Sequence, residues 1–390
     1  MSSFLTKEAI ILAGGLGTRL ASVVSDVPKP MAPVCDRPFL RYILDQLAEV
    51  RFDKVVIADG YKKEIIENYF GTVYRGMELV YSSEETPLLT GGAIKRALKF
   101  CDNEWVYVLN GDTYLDIDFP AFEESLNLYR NSANLIMGVG YSAQSDRYGL
   151  LKLEKSSHSV VSFQEKASNQ CGYINVGIYL ICKKALETMP EVFSFEKDWL
   201  ELVVSGGKIK YSIQNGAFID IGIPDDYKKA QYLLKSKKHK WKIAFFDRDG
   251  TINVDTGHLF EPEKLKLIKT TVEILKKYSK QSDWKIVVVT NQAGIAKGLY
   301  TVEEMRRLHK KLDELLDLEG IKIDSYYYCP HHPDFTGECE CRKPKPGMLS
   351  KALFDYEADP SDCILYGDKL TDEMAAKSLG INSVLIKESK

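Results

Sequence analysis

Short apolar runs recur along the chain, each ending in a polar turn and each followed by a stretch with helical spacing. The segments AIILAGGLGTRL (9–20) and KIAFFDRDGTIN (242–253) open alike, with a buried-strand pattern running straight into a glycine-containing turn. In the first half, further strand-like runs fall at KVVIADG (54–60), MELVYSS (77–83), WVYVLNGD (105–112) and NLIMGVGY (134–141), with helix-like PFLRYILDQLAEV and IKRALKFC among the segments between them. The second half continues with WKIVVVTNQ, the amphipathic VEEMRRLHKKLDELLDLEG, IDSYYYCP and DCILYGDK. This alternation predicts an α/β protein of two domains, each a largely parallel sheet covered by helices. Ligands in such folds sit beyond the carboxyl ends of the strands, so the polar residues directly after each strand are the candidates for chemistry.

The segment KKAQYLLKSKKHKWK (228–242) carries seven lysines and one histidine and reads as the last helix of the first domain fraying into a basic connector. The predicted boundaries are 1–235, a linker at 236–241, and 242–390. A length of 390 residues is consistent with two or three domains. The 52 basic and 55 acidic residues give a net charge of −3, and 45% hydrophobic with 27% charged residues is an ordinary globular composition. Disorder as the main state is excluded, and net charge offers nothing to a nucleic-acid partner. No apolar run approaches the ~20 residues of a membrane-spanning helix, and Lys7 and Glu8 interrupt the start where a signal peptide is apolar. The expectation is a cytoplasmic protein without a membrane partner.

Gly14, Gly15 and Gly17, with Thr18, Arg19 and Leu20, follow a strand and form a loop whose backbone amides can approach a triphosphate. Arg19 adds a permanent planar charge suited to pyrophosphate. In VPKPM, Lys29 stands between two prolines that stiffen the backbone and aim its ammonium. Asp112 ends WVYVLNGD and Asp220 lies in FIDIGIPDDY, both strand-end carboxylates able to meet Mg²⁺.

Together with Glu165-Lys166, Asn175 and Gly177, these motifs resemble the sugar-1-phosphate nucleotidylyltransferase family over residues 8 to 235. The resemblance implies a Rossmann-like nucleotidyltransferase sheet. It assigns Gly14, Gly15, Gly17, Thr18 and Arg19 to the nucleoside triphosphate, and Gly91 and Gly92 of TGGA to the nucleoside. Lys29 would bridge the α-phosphate and the sugar phosphate, Glu165 would bind sugar hydroxyls, Lys166 the sugar phosphate, Asn175 and Gly177 the sugar, and Asp112 with Asp220 the Mg²⁺. The chemistry implied is in-line attack of a sugar-1-phosphate oxygen on the α-phosphorus, which requires no protein nucleophile.

In FFDRDGTIN, Asp247 and Asp249 are two residues apart after a strand, a spacing that suits a carboxylate nucleophile and a neighbouring acid/base. DxDGT resembles the haloacid dehalogenase superfamily, and its other parts follow in order as Thr290-Asn291, Lys343 and Gly367-Asp368. By that resemblance the second domain is Rossmannoid. Thr290 and Asn291 would meet the phosphate, Lys343 would neutralise it, and Asp368 would hold Mg²⁺ with Asp247 and the backbone of Asp249. Asp372 suits an outer partner of the metal or a helix cap.

Three of the eight cysteines cluster in CPHHPDFTGECECRKPKPGM, where Cys329, His331, Cys339 and Cys341 form C-x-H and C-x-C pairs separated by seven residues. That spacing predicts one structural, tetrahedral Zn²⁺ in a loop leading to Arg342 and Lys343, with His332 pointing elsewhere. The segment resembles heptose bisphosphate phosphatases over residues 242 to 388, with histidinol-phosphate phosphatases as close relatives. In the heptose alternative, Arg342 and Lys343 meet the substrate phosphates. The two resemblances imply a bifunctional enzyme acting on heptose 1,7-bisphosphate, heptose 1-phosphate and GTP to make GDP-heptose. The alternative is a mannose-1-phosphate or other hexose-1-phosphate nucleotidylyltransferase joined to a phosphatase of another ester.

Overall fold

The computed structural model describes residues 6–15, 19–20, 23–24, 26–143, 149–164, 170–237 and 239–386. The chain divides into two compact units, Met1–Lys238 and His239–Lys390. No described helix is long and apolar enough to cross a membrane.

In the first unit the strands are β1 (Glu8–Leu12), β2 (Lys54–Ala58), β3 (Val73–Tyr74), β4 (Met77–Tyr81), β5 (Trp105–Asn110), β6 (Thr113–Leu115), β7 (Leu135–Ser142), β8 (Leu150–Glu154), β9 (Ser159–Gln164), β10 (Gly172–Cys182), β11 (Ile209–Ile213) and β12 (Phe218–Asp220). Ten of them form one sheet in the order β8-β9-β11-β7-β10-β5-β1-β2-β4-β3, while β6 and β12 pair as a separate antiparallel ribbon. The block β5-β1-β2-β4 is parallel, as the strand pattern predicts. Beyond it the sheet is mixed, because the long β10 runs antiparallel to both β5 and β7. The expectation of a largely parallel sheet is therefore corrected for this unit. An apolar pattern such as that of β10 fixes no strand direction, and LLKLE and SVVSFQ, which extend the antiparallel part, are short and partly polar and carry little apolar signal.

Alternation along β1 separates two cores. Ala9 and Ile11 face one cluster with α1 (Phe39–Glu49), α2 (Lys63–Phe70) and α4 (Phe119–Tyr129), whereas Ile10 faces another with α3 (Leu89–Ala97). The last helix, α5 (Pro224–Leu233), precedes the basic segment.

The second unit is a five-stranded, wholly parallel sheet. Its strands are β13 (Lys242–Phe246), β14 (Trp284–Asn291), β15 (Ser325–Cys329), β16 (Ile364–Gly367) and β17 (Asn382–Leu385), in the order β15-β14-β13-β16-β17. The strand order reverses at β13, so its carboxyl end lies at the switch point where ligands bind in open parallel sheets. Helices α6 (Lys269–Ser279) and α7 (Val302–Asp317) bury Val272, Leu275, Leu308, Leu312 and Leu316 against Ala244 and Phe246. Helices α8 (Gly347–Tyr356) and α9 (Leu370–Lys377) complete the unit.

One buried ion cluster ties α1 to the rest of the first unit. Asp45 accepts from Arg37 at 2.6 Å and from the Tyr74 hydroxyl at 2.6 Å, and pairs with Arg75 at 3.1 Å. Burial raises the Asp45 carboxyl, but Arg75 and Arg37 outweigh it and hold the group below the ordinary aspartate range. Its contribution is therefore present above the unfolded value near pH 4 and is lost as pH falls through the lower folded value. Asp45→Asn removes the carboxylate charge that Arg37 and Arg75 meet and should destabilise this unit by about 3 kcal/mol in urea unfolding. A change below about 0.5 kcal/mol would show that the cluster contributes nothing net.

Candidate active sites

At the end of β5, Gly111 donates its N–H to Leu12 O at 2.9 Å, and a Cβ there would lie 2.5 Å from that oxygen. Only glycine lets the two parallel strand ends approach so closely, and the approach sets Asp112 beside the end of β1. Gly14 packs on the Ala58 and Asp59 backbone, whereas Gly15 is exposed with open space around it, and Arg19 is exposed. Gly17, Thr18, Glu165 and Lys166 lie outside the described residues.

Lys29, from the VPKPM turn, donates to Asp112 Oδ2, and its Nζ is 3.8 Å from Asp220 Oδ1. The Lys29 side chain is only 10% exposed, so these carboxylates and the ammonium form a partly desolvated cluster. Gly222 permits it: a Cβ there would lie 2.8 Å from Asp220 Oδ1 and 3.2 Å from Lys29 Nζ. Two carboxylates that already converge on one cation suit Mg²⁺, which takes one or two carboxylates and completes its shell with phosphates and water.

The remaining first-unit candidates are placed as follows. Asn175 accepts from the Gly177 N–H at 2.9 Å and donates to the Tyr179 hydroxyl at 2.7 Å. Gly177 has φ +72°, and a Cβ there would lie 2.5 Å from Asn110 Nδ2, so this bulge in β10 seats against the end of β5. Gly91 and Gly92 donate their N–H groups to Phe193 O, and their Cα faces touch the Phe193 ring and Glu191 O. Their small size seats the start of α3. Gly222 and Glu84 carry no motif signal in the sequence. Glu84 follows β4 against Gly60, which itself touches Gly14, and one of its oxygens accepts from the Leu88 N–H at 3.0 Å.

In the second unit, Asp247 sits just past β13, and the buried Lys343 donates to its Oδ1 at 2.7 Å and to Val289 O at 2.8 Å. Lys343 also pairs with Asp372 at 2.6 Å. Burial pushes the Asp247 carboxyl up to about 7, against the pull of Lys343. For Lys343, burial is outweighed by Asp247 and Asp372, so its ammonium is held charged. Asp247, Asp368 and Asp372 bring one oxygen each within 4.8 Å of one another. Asp368 Oδ1 is buried without a hydrogen-bond partner among the described residues, and burial raises that carboxyl. An orphaned oxygen in a carboxylate trio fits a divalent cation. Gly250, at φ +84°, brings its backbone to this point, because a Cβ there would lie 2.3 Å from Asp368 Oδ2. Asp372 accepts from the Lys369 N–H at the start of α9, a capping contact, while pairing with Lys343. Asp249 instead directs its carboxylate to the neighbouring Arg248 at 2.7 and 3.1 Å.

Asn291 pins Lys343 from the end of β14: its amide donates to Lys343 O and accepts from Lys343 N–H, both at 3.1 Å. From the other side Arg342 donates to His331 O at 3.3 Å. His331 Nδ1 lies 3.8 Å from Cys329 Sγ and 3.3 Å from Cys341 Sγ, and Cys339 Sγ lies 3.6 and 3.5 Å from those sulfurs. Zinc bonds of about 2.3 Å to sulfur put tetrahedral sulfur–sulfur edges at about 3.8 Å, so the four donors have the spacing of a zinc site. They are too far apart for disulfides. His332 stands outside the set and accepts from the Asp334 N–H.

Residues 8–237 match the nucleotidyl transferase family, and residues 242–378 match the polynucleotide kinase 3 phosphatase family. The chain belongs to the nucleotidyl transferase family. It is 45% identical over 232 residues to a D-glycero-alpha-D-manno-heptose 1-phosphate guanylyltransferase of Aneurinibacillus thermoaerophilus, covering 58% of this chain and 98% of that one. It is 40% identical over 154 residues to a D-glycero-beta-D-manno-heptose-1,7-bisphosphate 7-phosphatase of Pasteurella multocida, covering 38% of this chain and 83% of that one. The second unit therefore belongs with these haloacid dehalogenase-type phosphatases. The crystal structure of HddC from Yersinia pseudotuberculosis complexed with GMP-PN superposes with a TM-score of 0.50 at 37% identity, over 58% of this chain and 99% of that one. Two enzyme families thus meet in one chain.

Elemental analysis should find one zinc per chain. Cys339→Ser should lose it and lower the melting temperature of the second unit by more than about 5 °C. A metal-free wild type with full stability would contradict a zinc site here.

Proposed function

We propose that the chain is a bifunctional enzyme of GDP-heptose biosynthesis. Residues 242–390 hydrolyse the 7-phosphate of D-glycero-D-manno-heptose 1,7-bisphosphate. Residues 1–235 transfer GMP from GTP to the resulting D-glycero-α-D-manno-heptose 1-phosphate and release pyrophosphate. The observation that carries this is the pairing of relatives, since removing the 7-phosphate of a heptose 1,7-bisphosphate leaves a heptose 1-phosphate, the class of substrate that the guanylyltransferases take. The substrates are those of a cytoplasmic enzyme.

The relatives' names differ at the anomeric carbon, alpha for the transferase and beta for the phosphatase. Hydrolysis at O7 breaks no bond at C1, so the anomer passes through unchanged. Serial action therefore requires the α-bisphosphate.

In the first site, the glycine loop and Arg19 hold the triphosphate, and Lys29 holds the α-phosphate and sugar phosphate together against their repulsion. Glu165, Lys166, Asn175 and Gly177 hold the sugar phosphate and sugar. The 1-phosphate oxygen attacks the α-phosphorus in line, and the bond to the pyrophosphate oxygen breaks. Glu84 would read the base, because guanine presents N1–H and a 2-amino group as donors and a carboxylate accepts both. In the second site, Asp247 attacks the 7-phosphate, and Asp249 protonates the leaving oxygen and later takes a proton from water. Thr290, Asn291, Arg342 and Lys343 hold the phosphates. Mg²⁺ held by Asp112 and Asp220, and by Asp247, Asp368 and the Asp249 backbone, would screen phosphate charge at each site.

Asp112→Ala should reduce guanylyl transfer to heptose 1-phosphate by at least about 10³-fold and leave bisphosphate hydrolysis within about twofold, with Asp247→Ala giving the reverse. Loss of both activities in either variant contradicts two independent sites. Glu84→Gln should cut the preference for GTP over inosine triphosphate, which lacks the 2-amino group, by about tenfold. An unchanged preference would remove Glu84 as the base reader.

A further inference from the structure

Gln292 follows Thr290-Asn291 at the end of β14 and is 1% exposed. A primary amide has two N–H donors and one oxygen acceptor, and here every one is used. Its Oε1 accepts from the Tyr300 hydroxyl at 2.6 Å and from Arg248 at 3.2 Å. Its Nε2 donates to Thr290 Oγ1 at 2.8 Å and to Asp249 Oδ2 at 3.0 Å. Turning the amide over would set its oxygen against a carboxylate and its N–H groups against a guanidinium, so the orientation is fixed by its neighbours.

The neighbours are themselves held. Arg248 is fully buried, donates to Leu259 O at 3.2 Å and contacts His309 Nε2 at 3.2 Å. Burial, with Arg248 and Arg306 nearby, keeps His309 far below its ordinary pKa, so its neutral ring accepts from Arg248. Asp249 receives four hydrogen bonds, two from Arg248, one from Gln292 and one from Asn253 at 3.0 Å. Thr290 Oγ1, by accepting from Gln292, keeps its own O–H as the donor for a phosphate oxygen.

We infer that Gln292 is a positioning residue for the phosphatase, joining the acid/base Asp249 to the phosphate-binding Thr290 so that both keep one geometry relative to the transferring phosphoryl group. This rests on the phosphatase function proposed above. In the first half-reaction an Asp247 oxygen bonds to phosphorus, the bond to the sugar oxygen breaks, and Asp249 supplies that oxygen's proton. In the second, water attacks the aspartyl-phosphate, Asp249 takes the water's proton, and the bond to Asp247 breaks to release inorganic phosphate. Gln292 donates to Asp249 Oδ2 and so aims the carboxylate that takes the water's proton, and its loss slows the second half more. Tyr300 acts one step further out, by fixing which way the Gln292 amide faces.

The test uses the full chain with Mg²⁺ and two probes, heptose 1,7-bisphosphate and p-nitrophenyl phosphate, with phosphoenzyme measured after acid quench. Gln292→Leu should lower kcat about tenfold with KM within about twofold, and raise the fraction of enzyme present as aspartyl-phosphate. Tyr300→Phe, a smaller change that keeps the Arg248 contact to Gln292, should move both quantities in the same direction by less. An unchanged kcat in both variants, or a loss of kcat without phosphoenzyme accumulation, overturns the inference while the phosphatase stands. A wild-type chain that hydrolyses neither probe overturns the phosphatase function and this inference with it.

Discussion

Each unit holds a lysine ammonium between two carboxylates, three of the four at strand ends and Asp372 in the first turn of α9. In the first it is Lys29 between Asp112 and Asp220, and in the second Lys343 between Asp247 and Asp372. Two carboxylates this close cannot both stay ionised in a desolvated setting without a cation between them. The ammonium meets that requirement, and the same arrangement of fixed positive charge and metal-binding oxygens is what a phosphate ester needs when it enters. The glycines around each cluster follow from this constraint. Gly111 and Gly222 bring the first set of groups together, and Gly250 and Gly367 the second, each where a Cβ would collide with the cluster or its backbone.

The two clusters differ in depth, and the difference matches the chemistry proposed for each. Lys29 and its aspartates are partly open, as suits a site where two polyanions meet and the substrate itself provides the nucleophile. Lys343 and Asp372 are almost wholly buried, and Asp247 is nearly so. A carboxylate nucleophile gains reactivity from losing water, but it must keep a counter-charge to remain ionised. The buried lysine is held in turn by Asn291 on one side and by the cysteine-histidine loop through Arg342 on the other. The loop that carries the four cysteine and histidine donors thus bears on the Lys343 cluster through the backbone of Arg342 and Lys343.

Much of this was legible in the sequence because strand-end chemistry follows strand pattern. The runs ending at Gly14, Asp112, Asp247 and Thr290 are strongly apolar, and their parallel packing brings those ends together. The clustering of Cys329, His331, Cys339 and Cys341 was legible from spacing alone, since a short loop leaves them few other arrangements. Less legible were the polar strands Leu150–Glu154 and Ser159–Gln164, which take their order from pairing with neighbours rather than from burial. Gly222 and Gln292 were also hidden, because each matters through a residue distant in sequence, Lys29 in one case and Asp249 with Tyr300 in the other. Asp249 itself was found, but its engagement with Arg248 depends on side-chain direction that a DxD spacing does not specify.

The central claim is that one chain removes the 7-phosphate and then adds GMP to the product. The most direct measurement is a time course by mass spectrometry with purified protein, Mg²⁺, an equimolar mixture of nucleoside triphosphates, and either α- or β-heptose 1,7-bisphosphate. The account predicts that GDP-heptose forms from the α-anomer, that no other nucleotide sugar accompanies it, and that heptose 1-phosphate appears first. Formation of a nucleotide heptose that still carries its 7-phosphate, or of none while heptose 1-phosphate accumulates from the α-anomer, would contradict it.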